Sequence, residues 1–561
     1  MDWVRYCVAA LKFVVISFLL EYGVSPLMAR MLYSSTTGLN GDAHGSQGQQ
    51  CSPSSQKTAF RGYAKHLHDL SQSSRAATHN AATLDTAAAD QHAMPRNTGK
   101  PALSNGERQA EVVAAFRHAW HGYRTHAWGK DMLRPVSRGH EEWFGLGMTI
   151  VDSLDTMHLM GLEQEFAEAR LWVEQNLDVR KNMDVNVFET TIRIVGGLLG
   201  AYHLSLDSLF KEKAIQLADS LIPAFATGSG IPLSDINLFT GNASPPKWAP
   251  ESSIAEVTTL QMEFREISRL TGDAKYQDAV DKAMEHVQSQ ERHDGLVHLF
   301  INPYSGVFKE GTLTLGARAD SYYEYLLKQW LQCNRTEDRF INWYRTSVAG
   351  IEKRLMRHSS PSQLLFVGEE LNNGQFSPKM DHLVCFLPGL LALGSVHGAD
   401  IEQSGNHLEL ARQLMVTCQQ MYVVMPTGLS AELVYFGQGA DESDIIVKER
   451  DRHNLLRPEA VESLFILYRI TGNETYRDWG WEVFQAFEKH CKVEGGGYTS
   501  IGDVSSVHDT KPQDRMESFF LAETLKYLYL LFSDDQSLLP LDEYVFNTEA
   551  HPLPIWHTTG T

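Results

Sequence analysis

TGDAKYQDAVDKAM (Thr271–Met284) and TGNETYRDWGWEVF (Thr471–Phe484) lie far apart in the chain yet follow one pattern: the end of a helix, a small turn, an acidic residue, an aromatic and a second helix. MGLEQEFAEARLWV (Met160–Val173) and LDSLFKEKAIQLAD (Leu206–Asp219) echo it. A helix pair cannot bury its apolar face alone, so its recurrence predicts stacked αα-hairpins, either as an open solenoid or as a closed barrel. Residues 107–561 hold about seven units of about 65 residues, long for an open helical solenoid but reasonable for hairpins that carry functional loops. Further amphipathic windows run between the echoes, among them RQAEVVAAFRHAWHGYRTHAW (Arg108–Trp128), WFGLGMTIVDSLDTMHLMG (Trp143–Gly161) and TTIRIVGGLLGAYHLSL (Thr190–Leu206). Each carries apolar residues at helical spacing, and the body of the chain is expected to be all-α.

The chain closes on EYVFNTEAHPLPIW (Glu543–Trp556), which combines carboxylates, a threonine, a histidine, two prolines and large apolar side chains. Chain ends are usually polar and frayed. An end of this composition is expected to be buried, and the axial cavity of a closed barrel is the place for it. The reading is therefore an (αα)7 barrel plugged by its own C-terminal segment.

Charge narrows the ligand. The chain has 49 Lys+Arg against 69 Asp+Glu, a net charge of −20, and residues 1–100 carry 9 Lys+Arg and 6 Asp+Glu, which leaves −23 for residues 101–561. A body this acidic suits no nucleic acid; it suits a neutral, hydroxyl-rich molecule or a cation. Residues 1–33 contain the apolar run Phe13–Leu20 behind Arg5 and Lys12, read as a cytoplasmic stub and an uncleaved type II signal anchor, with a cleaved signal peptide as the alternative. Residues 34–106, rich in Ser, Ala, Thr, Gln, Gly and His and without periodicity, read as a flexible lumenal stem. The body is then lumenal or secreted, and sequons at Asn334 and Asn473 agree. Six cysteines are too few and too scattered for a disulfide scaffold or a Cys-x-x-Cys zinc site. Cys385 and Cys418, both in apolar helical context, are candidates for one bridge between neighbouring helices; two buried free thiols are the alternative.

Carboxylates and arginines recur beside aromatics at expected helix ends: Glu189 and Arg193 in NVFETTIR, Glu256 in SSIAEVTTLQMEF, Arg318 and Asp320 in LGARADSYYEY, and Asp381 and His382 in KMDHLVCF. Arg457, Glu459 and Glu462 in NLLRPEAVES and Phe519 and Glu523 in MESFFLAETLKY continue the series. Singly, an acid at a helix start is ordinary capping. A barrel, however, sets equivalent helix ends around one mouth and would gather these acids into one pocket. Converging carboxylates with Arg and Phe suit a glycosidase, with an acid and a base flanking a glycosidic bond, or a hard-cation site. No His-x-x-x-His or Cys pair has zinc spacing. No Gly-x-Ser-x-Gly elbow, Walker loop or dinucleotide fingerprint follows an expected strand. Sugar hydrolysis is the leading class.

Six blocks carry a resemblance: VNVFETTIRIVGGLL, LGARADSYYEYLLKQW, FSPKMDHLVCFLPG, DRHNLLRPEAVESLF, MESFFLAETLKYLYLLFSDD and YVFNTEAHPLPIW, in that order. They resemble the signature blocks of the class I α1,2-mannosidases, glycoside hydrolase family 47, from Glu107 to Trp556. The resemblance implies an (αα)7 barrel, a bound calcium ion, and hydrolysis of terminal α1,2-linked mannose from high-mannose N-glycans with inversion. Carried over block by block, Glu189 and Asp320 correspond to the candidate general acids and Glu459 to the base that activates water, an inverting pair standing about 6.5–9.5 Å apart. Arg193, Glu256, His382, Arg457, Glu462, Phe519, Glu523 and Glu549 correspond to sugar-binding and water-holding positions, with Phe519 as an apolar floor under the ring. Thr548 corresponds to the direct protein ligand of calcium, and Cys385 with Cys418 to the family's bridge. Arg318 stands where Golgi-type members have a leucine, so the resemblance is to the endoplasmic-reticulum type, which removes one middle-branch mannose. The anchor read from residues 1–33 lies outside the resemblance; with it, a monomer held in that membrane is expected. A lectin-like degradation factor of the same fold is the rival reading, but such relatives tend to lack the bridge. A protein-binding helical solenoid leaves the tail unexplained.

Overall fold

The structure is a computed structural model and describes residues 103–247, 249–399 and 406–557. The two echoed turns are built alike. The helix Gln261–Thr271 ends at Gly272 with φ 73°, and Glu459–Thr471 ends at Gly472 with φ 68°, a left-handed step that a β-carbon disfavours. Asp273 and Asn473 then accept the backbone N–H groups of Lys275 and Thr475, at 3.0 and 3.1 Å, and start the next helix. The echo in sequence is the hairpin turn itself.

Among the described residues the helices alternate in burial. In chain order they are α1 (Asn105–His126), α2 (148–159), α3 (Glu163–Asn176), α4 (187–205), α5 (Ser208–Leu221), α6 (254–271), α7 (Lys275–Ser289) and α8 (Asp320–Gln332). Then follow α9 (Asp338–Arg354), α10 (382–396), α11 (His407–Val423), α12 (Glu459–Thr471), α13 (Thr475–His490) and α14 (520–531). Odd-numbered helices bury a stripe: α3 buries Ala169 and Val173, α7 buries Tyr276, Val280, Ala283, Met284 and Val287. Even-numbered helices are buried nearly all round, and in α8 every residue from Ser321 to Gln332 is buried. A helix covered on all sides belongs inside the ring, one covered on a stripe outside it. Because α14 packs against both α2 and α1, the ring closes and the fold is an (αα)7 barrel.

The all-α reading needs one addition. Long returns from outer to inner helices carry short antiparallel strands, such as Met132–Arg134 with Gly139–Glu141 before α2, and Asp235–Asn237 between Asp184–Asn186 and Ala243–Ser244. One mouth of the barrel is therefore made of long loops and the other of tight turns. The anchor expected at 1–33 and most of the stem expected at 34–106 lie outside the described residues. Helix α1 starts at Asn105, two residues before the expected boundary, because Ser104 and Glu107 cap its end reciprocally. No helix among the described residues is long and apolar enough to cross a membrane. Cys385 of α10 and Cys418 of α11 form a disulfide with Cα atoms 5.9 Å apart, while Cys333 and Cys491 are buried free thiols.

The tail fills the axis. Tyr544–Phe546 and Pro552–Pro554 pair as a hairpin, and between them Asn547, Ala550 and His551 are fully buried. Asn547 uses its whole amide: Oδ1 accepts from the N–H groups of Glu549 (2.9 Å) and His551 (2.8 Å), while Nδ2 donates to Ile192 O (3.0 Å) and Glu263 Oε1 (2.8 Å). Gly196 of α4 makes room for it, since a β-carbon there would stand 2.6 Å from Asn547 Nδ2. At the far end Trp556 donates through its backbone to Gln332 O and through Nε1 to Glu266, both at 2.8 Å. His551 sits between two aspartates of α2, with Nδ1 2.8 Å from Asp155 and Nε2 3.1 Å from Asp152. Burial works against the imidazolium, but the two aspartates outweigh it and push the pKa up to about 9.

A group whose folded-state pKa is raised stabilises fully below its ordinary value, near 6.5, and loses that contribution as pH climbs toward about 9. The melting temperature is therefore predicted to fall over this range, and His551→Gln to start lower and show a clearly shallower fall. Thermal denaturation at several pH values checks this; identical slopes for the two chains would contradict a buried imidazolium.

Candidate active site

The inner helices begin at the loop-lined mouth, and their first turns carry most of the acids singled out in sequence. Glu189 is the third residue of α4, its N–H capped by Asn186 Oδ1 at 2.9 Å. Asp320 and Glu459 are the first residues of α8 and α12, His382 opens α10, and Phe519 stands just before α14. Two inner helices widen here: α4 is a π-helix over Thr190–Val195, where Arg193 lies, and α14 over Phe520–Thr524, where Glu523 lies.

Arg193 joins the parts. Its Nε donates to Glu189 at 2.8 Å, its two terminal nitrogens grip Glu549 of the tail at 3.1 and 2.9 Å, and Asp152 lies 3.9 Å away. Burial disfavours the guanidinium, and the carboxylates of Glu549, Glu189 and Asp152 more than reverse that. Phe519 lies between Arg193 and Arg457, whose guanidinium carbons are 5.7 and 5.9 Å from its ring centroid. The result is a flat apolar surface framed by two cations.

Glu459 and Asp320 experience opposite surroundings. For Glu459, burial favours the protonated form, but a hydrogen bond from His382 Nδ1 at 3.1 Å and the charge of Arg457 at 3.7 Å outweigh it and hold the carboxyl below its ordinary value. Arg457 is itself fastened by Glu432 at 2.5 Å. Asp320 accepts the Ser321 N–H at 2.9 Å, yet burial and the charges of Glu324 and Glu459 push its carboxyl up to about 8. At neutral pH one carboxyl is ionised and the other protonated, the division of labour that acid–base chemistry requires.

Glu256 has a different setting from the other acids. Its carboxylate closes a capping box on Ser253, accepting from the N–H and Oγ at 2.8 Å each, and takes Asn186 Nδ2 at 3.1 Å. It thus steadies the residue that caps Glu189. Arg318 lies on the rim with φ 78°, its guanidinium carbon 5.9 Å from the Phe300 ring centroid. Its carbonyl accepts from Ala255, and the neighbouring Ala317 N–H is held by Asp381 at 3.1 Å.

Below the mouth, at the tip of the tail, Thr548 is half-buried and its N–H points to the Tyr325 hydroxyl at 3.4 Å. Around it acids accumulate. Glu462 accepts from Lys328 and Tyr527, both at 3.3 Å, and burial pushes its carboxyl up to about 7. Burial raises Glu549 to about 8 against the pull of Arg193, and it raises Glu523 well above its ordinary value, with the charges of Glu549 and Glu459 adding to it. Glu263, bonded to Tyr325 and Asn547 through Oε1, has Oε2 buried without a hydrogen-bond partner. Oxygen donors in negative excess fit a hard cation such as calcium. Among the described residues no three carboxylate, imidazole or thiol groups stand together as direct ligands of a metal ion.

Sequence reasoning missed several partners of these groups. The Glu324–Lys328 pair was legible, as a charged pair at helical i,i+4 spacing among the tyrosines and leucines of α8, and so was the Asp152–Asp155 pair in an apolar window. Nothing local marks Glu432, Lys526 or Tyr422.

Residues 115–555 match the model of Glycosyl hydrolase family 47. The human protein named endoplasmic reticulum mannosyl-oligosaccharide 1,2-alpha-mannosidase is 57% identical over 465 residues, spanning 82% of this chain and 66% of its own length. A Candida albicans protein named mannosyl-oligosaccharide 1,2-alpha-mannosidase is 45% identical over 474 residues, spanning 80% of this chain and 84% of its own. Among solved structures, the alpha-1,2-mannosidase from Trichoderma reesei superposes with a TM-score of 0.75 at 28% identity, covering 81% of this chain and 100% of that one. By its barrel, its blocks and this extent of match, the chain belongs to glycosyl hydrolase family 47.

Proposed function

We propose that this protein is an inverting exo-α1,2-mannosidase that removes terminal α1,2-linked mannose from high-mannose N-glycans, with Glu459 as the base. The observation that carries the reading is the opposed state of Glu459 and Asp320 at one mouth. Ionised Glu459 takes a proton from a water, the water oxygen attacks the anomeric carbon, and the bond to the glycosidic oxygen breaks on the opposite face. Protonated Asp320 supplies the proton that the leaving oxygen needs, directly or through a water held by Glu189. Phe519 supports the sugar ring, and Arg193 with Glu549 presents a donor and an acceptor to hydroxyls. A calcium ion at Thr548 would supply positive charge and oxygen coordination that orient the sugar. A binding factor that did not hydrolyse would have no use for an acid and a base set apart in this way. The names of the human and Candida relatives support the activity, and the human name supports the endoplasmic reticulum, with residues 1–33 as the anchor.

The reading is tested on the nine-mannose N-glycan with detection of the released anomer. Glu459→Gln is expected to lower kcat about 10²–10⁴-fold with the fold intact, and the wild-type product to have the inverted configuration. Activity should also decline as pH rises through about 8, where Asp320 loses its proton. A retained configuration would sink the mechanism.

Chelation is expected to abolish hydrolysis and lower the melting temperature together, with calcium restoring both and Thr548→Val resembling the chelated chain. An unchanged melting temperature after chelation would argue against a cation at the tail.

Arg318→Leu should redistribute the eight-mannose isomers formed, because a planar, multiply donating group at the rim is lost. If only stability falls and the isomer stays the same, Arg318 has no part in branch choice.

A further inference from the structure

The outer helix α11 reaches the proposed base through one imidazole. Tyr422, on its buried stripe and 2% exposed, has its hydroxyl 2.7 Å from His382 Nε2. His382, 1% exposed, turns its other nitrogen, Nδ1, to Glu459 Oε2 at 3.1 Å. The two rings meet edge to face with centroids 5.6 Å apart.

Chemistry fixes the direction of these bonds. A carboxylate only accepts, so the hydrogen facing Glu459 belongs to Nδ1. In the neutral ring, Nε2 then carries a lone pair that needs a donor, and the phenol is that donor. Burial, with the charges of Glu459 and Glu432, pushes the Tyr422 phenol well above its ordinary value, so it keeps the proton it donates. The opposite tautomer would set two hydrogens against each other at Tyr422 unless the phenol turned away, and would point a lone pair at Glu459. Tyr422 is also held in place: Cys418, one turn earlier on α11, is bonded to Cys385, three residues after His382.

We propose that Tyr422 is a positioning residue, which locks His382 in the tautomer that donates to Glu459 and so keeps that carboxylate ionised and fixed in place. The proposal rests on Glu459 being the base. The other charged groups acting on Glu459 come from three elements: Arg457 ahead of α12 and Glu462 within it, Asp320 of α8 and Glu523 of α14. Of these, Arg457 alone is cationic, so the hydrogen bond from His382 is a main support of the ionised form.

Tyr422→Phe removes the donor and keeps the ring. On the nine-mannose glycan, kcat is expected to fall about tenfold or more with KM within about twofold, since the chemistry and not the binding is disturbed. The acidic limb of the kcat profile should move up by about one pH unit, because the base loses a hydrogen bond to its charged form. In a Glu459→Gln background the same change should add no further loss. An acidic limb that stays in place, with Glu459→Gln inactive, overturns the tautomer lock and leaves the base assignment standing. Full activity of Glu459→Gln overturns both. Independently of how the variant folds, ¹⁵N-histidine spectra of the native chain, with His382 assigned by its loss in His382→Asn, should read Nδ1-protonated; an Nε2-protonated ring overturns the proposal.

Discussion

The rest of this structure depends on a cation seated in the barrel axis, the His551 imidazolium between Asp152 and Asp155. Charges removed from water cost several kcal/mol each unless they are paired and hydrogen-bonded. Here the pairing is continuous: Lys526 binds Asp155 at 2.9 Å and the Ala550 carbonyl at 2.7 Å, while Asp152 looks on to Arg193. Lys526 of α14 and Arg193 of α4 face these acids from the inner ring itself, and His551 of the tail adds a cation between the two aspartates. The tail thus seats Asn547, Ala550 and His551, all fully buried, inside a charged network that its own imidazolium helps to balance.

The same network couples the plug to the mouth. Arg193 grips the tail through Glu549 and the mouth through Glu189, so the tail's seat in the axis and the position of a candidate catalytic carboxyl are set by one guanidinium. The π-turns at Thr190–Val195 and Phe520–Thr524 fall at the level where the tail tip arrives. A widened turn shifts side chains off the ordinary helical register, and these two turns carry Arg193 and Glu523. Stability and chemistry thus share residues, which is the arrangement expected where buried charge is kept for use.

The two shells of helices divide the work. Inner helices present acids at their first turns, and outer helices hold what stands behind them, as Tyr422 of α11 stands behind His382 and Glu432 in the following return stands behind Arg457. Long loops enter the mouth from the outer shell, and Arg318 is set on one of them by Ala255, which donates to its carbonyl, and by Asp381, which accepts from the neighbouring Ala317 N–H. The rim can vary in this way without disturbing the ring.

Local physics made much of this legible in one dimension. The hairpin turns at Gly272 and Gly472, the alternation of helices and the need to bury the Glu543–Trp556 tail are properties of short stretches, and each is read from residue types and spacing. The resemblance of six blocks then named Glu189, Asp320, Glu459 and their neighbours as a set. Periodicity could not choose between an open solenoid and a closed barrel, because both bury the same stripe; the contact of α14 with α1 and α2 decided it. Nor could it foresee that Glu459 and Asp320, both first residues of inner helices, are driven in opposite directions. Such differences come from near and distant groups acting together: Arg457, two residues earlier, and His382 of α10 beside one carboxyl, Glu324, one turn along α8, and Glu459 of α12 beside the other. Charge state is a property of a neighbourhood, and only the closed ring assembles that neighbourhood.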